Sequence, residues 1–230
     1  MKRIVYTLLM ALFAFFAVDA QKESTPTRES STYVKIETSM GNFTVALYDG
    51  TPLHRDNFIA LVKSGAYEGT LFHRVIERFM IQGGNLLTKG ATKSTDVSVD
   101  TISERIPIEV NTNLFFHKRG ALAAAREGDE VNPEKGSSKS QFYIVTGTYF
   151  TDLDLDAFEK SHQRKFTPEQ REAYKMLGGT PHLDGEYTVF GEVVDGYKTV
   201  QKIERLKTDP TNRPVKDVLI KKMTIVKSSK

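Results

Sequence analysis

Leu71-Phe72-His73-Arg74-Val75-Ile76-Glu77-Arg78-Phe79-Met80-Ile81-Gln82-Gly83-Gly84-Asn85 sets the architecture expected of this chain. Side chains alternate across a strand, so a first strand puts Phe72, Arg74 and Ile76 on one face. After the polar break at Glu77-Arg78, a second short strand puts Met80 and Gln82 on one side with Ile81 behind. One sheet surface then carries a guanidinium, an aromatic ring, a thioether and a carboxamide. Gly83-Gly84 permits a backbone bend closed to most side chains, which ends that surface. On pattern alone, a plain strand pair with an arginine at its edge fits equally well.

Upstream, Tyr33 to Thr38 and Phe43 to Tyr48 both alternate around the turn chemistry of Met40-Gly41-Asn42, which predicts a hairpin. A helix follows, with Thr51 as N-cap, Pro52 at its first position, Phe58, Leu61 and Val62 on one face and Gly65 as the stop. Downstream, Tyr197, Val200 and Ile203 share one side of a helix over about 197–205, and Val218 to Val226 reads as a last strand.

Composition bounds the function. At 230 residues and 39% hydrophobic content, one domain with a full core is expected over 32–228. The sequence has no cysteine, which excludes disulfides and thiol chemistry. The net charge of +3, from 32 basic and 29 acidic side chains without a long basic run, leaves no footprint for nucleic acid. His54, His73, His117, His162 and His182 show no metal-ligand spacing, and neither a phosphate loop nor a serine elbow occurs. No metal and no cofactor are expected, and a monomer is.

Lys2 and Arg3 precede an apolar run from Ile4 to Val18, and Val18-Asp19-Ala20 offers compact residues where a signal peptidase reads. This predicts a secretory signal over 1–20 and an exported, periplasmic protein. The run is shorter than the roughly 20 residues of a spanning helix, so no membrane span is expected after cleavage; a retained anchor is the alternative. Residues 21–31 are polar and read as a disordered lead-in.

Thr51-Pro52 with Asn57-Phe58, then Gly69 to Ile76, then Phe79 to Gly84 form an ordered set that resembles the cyclophilin family of peptidyl-prolyl cis-trans isomerases. Gly120 to Arg126, Ser140 to Ile144 and His182 to Gly185 running into Val189 to Val193 resemble it in the same order. The resemblance covers nearly all of the chain after residue 32. It implies a mainly β fold, a closed eight-stranded antiparallel barrel capped by two helices. It also implies that Arg74, Phe79 and Gln82 are catalytic, and that Met80, Ala125, Arg126, Gln141, Tyr143, His182, Leu183 and Tyr187 bind substrate. The partners are then proline-containing unfolded or extended polypeptides, pairing with the backbone around Arg126 as an added strand.

The chemistry asks little of the protein. Peptide rotation is opposed by resonance worth roughly 18–20 kcal/mol, and X-Pro bonds interconvert slowly unaided. In the twisted transition state the prolyl nitrogen loses conjugation and becomes a true hydrogen-bond acceptor. A fixed donor aimed at it binds the transition state better than the substrate. Arg74 is the candidate donor, its guanidinium always protonated and offering several donors in a rigid plane. The alternative is a proline-peptide-binding chaperone or scaffold module in which turnover is incidental.

Several departures from the family stand out. His182 replaces the Trp of the best-known members, Tyr187 replaces a His, and Tyr143 replaces a Phe and brings a hydroxyl that needs a partner. His73 is expected to face away from Arg74 and to hydrogen-bond inside the barrel. An insertion over about 148–180 predicts a helical hairpin: Leu155 and Phe158 follow Thr151-Asp152, and Thr167-Pro168-Glu169-Gln170 is a capping box. It is expected on the pocket's rim, with a merely stabilising decoration as the alternative. The loop from Arg126 to Lys139 is expected to be mobile.

Overall fold

Buried and half-buried positions alternate through both arms of the first hairpin, β1 (Thr32–Thr38) and β2 (Gly41–Leu47). Val34 and Ile36 of one arm and Phe43, Val45 and Leu47 of the other enter the core, as period-two patterning requires. The chain is described here by a computed structural model covering residues 28–97 and 104–226. The expected signal over 1–20, and the lead-in as far as residue 27, lie outside the described residues. The end of that lead-in is tied to the fold: Glu29 O accepts from Asp49 N at 2.8 Å and Arg28 Nε donates to Leu114 O at 2.7 Å.

The remaining strands are β3 (Arg74–Ile76), β4 (Met80–Gly83), β5 (Arg105–Ile106), β6 (Ala121–Ala124), β7 (Ser137–Ser138), β8 (Phe142–Val145), β9 (Val189–Asp195) and β10 (Ile220–Val226). Eight of them form one antiparallel sheet in the order β10-β1-β2-β9-β6-β8-β4-β3. The closed barrel expected from the resemblance is not formed: the sheet curls, and β3 and β10 are its two edges. A seam just ahead of both edges is stitched by an isolated bridge between Leu71 and Leu219, and by Phe72 N donating to Val218 O at 2.9 Å. The physical reason is local. The strand over Phe72 to Ile76 was expected to be continuous, but it begins at Arg74, and Phe72 turns into the core beside Val75.

Two helices cap the sheet, α1 (Pro52–Lys63), which lies against β10, and a later one over Tyr197–Glu204. The α1 N-terminus is not capped by Thr51, whose hydroxyl bonds back to Tyr48 O at 3.3 Å. Glu109 caps it from across the fold, accepting from Leu53 N and His54 N at 3.0 Å each. A carboxylate at a helix N-terminus satisfies orphan donors and complements the helix dipole.

The insertion folds as expected into α2 (Asp152–His162) and α3 (Pro168–Met176), which makes the Tyr197–Glu204 helix α4. Both inserted helices carry a full capping box, at Thr151 with Asp154 and at Thr167 with Gln170. Leu155, Phe166 and Tyr174 pack with Phe116 of the main body as a small satellite core. The loop from Arg126 to Lys139, expected to be mobile, is anchored by the β5–β7 pair and by buried Asn132, which donates to Gly136 O at 2.8 Å.

Candidate active site

The sheet register lines up Arg74 on β3, Gln82 on β4, Tyr143 on β8 and Ala123 on β6 in one row of direct cross-strand partners. Odd and even positions divide the sheet. Val75, Ile81, Ile144 and Leu122 go to the inner core, whereas Met80, Tyr143, Val145 and Ala123 form a second cluster on the outer face. Met80 and Tyr143 of that outer face line a cavity of about 790 Å³, within the range of small-molecule and peptide pockets.

Every residue the resemblance implies, except His182, lines this cavity: Arg74, Phe79, Met80, Gln82, Ala125, Arg126, Gln141, Tyr143, Leu183 and Tyr187. The ring expected from Phe72 is supplied by Phe79, beside the left-handed turn at Arg78 (φ 59°). His182 is outside the lining but stacked on Phe79, with ring centroids 5.8 Å apart and planes 20° apart. Burial first, then His117, hold the His182 imidazole below its usual range, against a smaller upward pull from Asp184. His73, expected to face away, is 4% exposed and nevertheless borders the cavity beside Arg74.

The polar end is a chain of donors and acceptors. Arg74 Nη1 donates to Gln82 Oε1 at 3.1 Å, and Gln82 Nε2 donates to Gln141 Oε1 at 2.9 Å. Among the described residues Arg74 forms no ion pair, so its charge is uncompensated on a half-buried surface. Burial lowers its pKa, partly offset by Tyr187. An arginine stays protonated through such a shift.

Arg126 is different: its side chain is 4% exposed, with Nη1 2.6 Å from Asp129 Oδ1 and the guanidinium 4.5 Å over the Tyr187 ring. Its neighbour Ala125 has both backbone groups committed, donating to Gln141 O at 3.0 Å and accepting from Ser138 N at 2.8 Å. The Arg126 backbone takes part in no hydrogen bond among the described residues, so an added strand would pair there and not at Ala125.

Sequence reading missed the partner of Tyr143. His117 Nε2 lies 2.9 Å from its hydroxyl, and His117 Nδ1 lies 2.9 Å from Asp184 Oδ1. The signal was present: a tyrosine in a buried wall has to satisfy its O–H. Burial, then Tyr187 and Asp184, push that hydroxyl well above the usual phenol range, so it is neutral and keeps its O–H. The outer half of the cavity, with Lys93, Asp96, Asp209 and Thr211, was also not anticipated. Among the described residues no cluster of three or more His, Cys, Asp or Glu is placed to hold a metal.

Similar proteins share this arrangement of the chain. Residues 33–225 match the family model described as cyclophilin type peptidyl-prolyl cis-trans isomerase/CLD. A Staphylococcus aureus protein provisionally named a peptidyl-prolyl cis-trans isomerase is 31% identical over 194 residues, which are 84% of this chain and 90% of that one. "Peptidyl-prolyl cis-trans isomerase-like 2" of Rhizopus delemar is 32% identical over 85% of this chain, but the match spans only 29% of that longer protein. A Streptococcus pyogenes protein provisionally named a bifunctional phosphatase/peptidyl-prolyl cis-trans isomerase is 33% identical over 84% of this chain and 38% of its own length. The crystal structure of a Cryptosporidium parvum cyclophilin type peptidyl-prolyl cis-trans isomerase superposes with a TM-score of 0.62 at 26% identity, covering 86% of this chain and 99% of that one. With the family model spanning the sheet, both caps and every residue of the cavity floor, the chain belongs to the cyclophilin-type peptidyl-prolyl cis-trans isomerase family.

Proposed function

We propose that the protein is a peptidyl-prolyl cis-trans isomerase that speeds X-Pro rotation in extended polypeptides without a covalent intermediate. The observation that carries this reading is the Arg74 guanidinium, without an ion-pair partner among the described residues and fixed by Gln82 at 3.1 Å in a cavity that Phe79, Met80, Tyr143 and Leu183 also line. Met80, Phe79, Leu183 and Tyr143 hold the pyrrolidine ring while the residue before it turns. Arg74 then donates to the prolyl nitrogen, which accepts only midway through rotation. Acceleration to a millisecond half-time needs roughly 5–7 kcal/mol, a range that preorganised donors and burial supply.

The substrates are proline-containing segments of unfolded exported chains, paired to the Arg126 backbone as an added strand. The exported setting rests on Lys2, Arg3, the apolar run to Val18 and the Ala20 cleavage site. The structures of a Cryptosporidium parvum relative include one determined in the presence of the dipeptide Ala-Pro, a ligand of the class proposed here.

A protease-coupled assay on a proline peptide tests the reading by comparing the unaltered chain with Arg74→Ala. The expected loss in kcat/KM is about 100- to 1,000-fold, with the peptide still binding. Equal turnover in both proteins would leave a proline-binding chaperone or scaffold module as the function.

A further inference from the structure

The hydroxyl at position 143 is fastened by residues from the inserted hairpin, through a carboxylate that has no solvent exposure of its own. The Asp184 side chain is 0% exposed and collects four donors. Its Oδ1 accepts from His117 N at 2.7 Å and faces His117 Nδ1 at 2.9 Å. Its Oδ2 accepts from Tyr174 Oη at 2.6 Å and from Arg164 Nη2 at 3.1 Å. Arg164 Nη1 also donates to Asp184 O at 2.9 Å.

A neutral His117 satisfies the whole chain of donors and acceptors. Tyr174 is a neutral donor, its hydroxyl pushed well up first by burial and then by Asp184. With the proton of His117 on Nδ1 and directed at the carboxylate, Nε2 is left as the acceptor for the Tyr143 hydroxyl. Every buried polar atom from Tyr174 to Tyr143 then has a partner, which is the condition under which such a chain rigidifies its surroundings. Tyr174 lies on α3 and Arg164 in the α2–α3 turn, so two of the carboxylate's donors come from the insertion. The chain ends at a wall of the cavity, and it shares no hydrogen bond with the Arg74–Gln82–Gln141 relay.

We propose that the inserted hairpin is a positioning element of the proline cavity, in which Tyr174 and Arg164 act through Asp184 and His117 to hold the Tyr143 ring against the bound proline. The inference rests on the isomerase reading above. Because the wall contacts substrate and transition state alike while the arginine relay is separate, the effect falls on KM and spares kcat.

The test is a double-mutant cycle on the full chain. Tyr174→Phe alone is expected to raise KM about 3- to 10-fold with kcat within about twofold. In a Tyr143→Phe background, which removes the hydroxyl the chain acts on, the same change is expected to move KM by less than about twofold. A purely structural role predicts equal losses in both backgrounds, and that result overturns the proposal, as does a fall in kcat at constant KM or no effect at all. Should Tyr174→Phe fail to fold, Arg164→Met carries the cycle from a partly exposed position on the same carboxylate. If the unaltered chain shows no turnover, the isomerase reading fails by itself, and the cycle is read from the dissociation constant of a proline peptide with the same expected ratios.

Discussion

Arg74 and Gln82 face each other across the β3–β4 pair, and the arginine gives its Nη1 proton to the glutamine oxygen at 3.1 Å. Gln82 in turn gives an amide proton to Gln141 Oε1 at 2.9 Å. The amide oxygen is thereby fixed as the atom turned toward the guanidinium, because the nitrogen end is already engaged. A carboxamide orients the cation without neutralising it, which an acidic partner would do.

Gln82→Ala should therefore cost rate rather than binding. With the guanidinium free to sample rotamers, kcat is expected to fall roughly tenfold, ~1.4 kcal/mol, and KM to stay within about twofold. Steady-state kinetics on a proline peptide checks this; an unchanged kcat would show that Arg74 needs no orienting partner.

The α1 cap gives a pH-dependent prediction. Burial raises the pKa of Glu109, but the His54 ring, then the His54 and Leu53 backbone N–H groups, outweigh it and leave the carboxyl below its ordinary 4.5. A group depressed in the folded state stabilises above its unfolded pKa, and that stability drains away as pH falls through the folded value. Glu109→Gln is expected to cost about 1–2 kcal/mol at neutral pH, or a few degrees in Tm for a domain of this size. Below the ordinary carboxylate range the two proteins should converge. Parallel Tm curves down to strongly acidic pH would refute the cap.

His182 gives a prediction about inhibition. The imidazole is stacked on Phe79 with ring centroids 5.8 Å apart, and the indole donor of the best-known family members is missing. Cyclosporin is expected to inhibit weakly, with turnover retained, and His182→Trp to tighten inhibition about tenfold or more, ~1.4 kcal/mol. Tight inhibition of the unaltered chain in a titration would sink this.

Gly84 is needed as glycine, and Gly90 is its control. A Cβ on Gly84 (φ +83°) would sit 2.2 Å from Ser140 O, whereas one on Gly90 (φ +71°) would meet nothing within 4 Å. Gly90→Ala should cost only the backbone strain of about 1–2 kcal/mol, and Gly84→Ala distinctly more, through a clash with the segment that leads through Gln141 into β8. Urea midpoints of the two variants rank them directly; equal losses would mean that the Ser140 segment yields freely.

Much of the site was legible because strand parity is a local property. Met80, Gln82 and Ile81 fall on the sides that period two assigns them, and the capping box at Thr167–Gln170 read correctly from four residues, whereas the one at Thr151 with Asp154 was not anticipated. What was not legible depends on segments meeting in space. Phe72 was placed on the face of Arg74 because nothing in the sequence marks the bend before β3. Thr51 has the right chemistry for an N-cap, yet Glu109, separated from Leu53 by 56 residues, does the capping. The chain from Tyr174 to Tyr143 draws on four separate segments, so only its end, a tyrosine where a phenylalanine was expected, showed in the sequence.

The open seam sets apart the two sides of the cavity. β3, which carries Arg74, is an outermost strand, held on its free side by isolated contacts such as Val75 N donating to Asn212 O at 2.8 Å. β8, which carries Tyr143, is flanked by β4 and β6 and fully buried. Local opening costs least at edges and most in the middle of a sheet. The guanidinium thus stands on a rim strand that cannot hold it alone and owes its aim to the glutamine beside it, while the tyrosine opposite it serves as a fixed anvil.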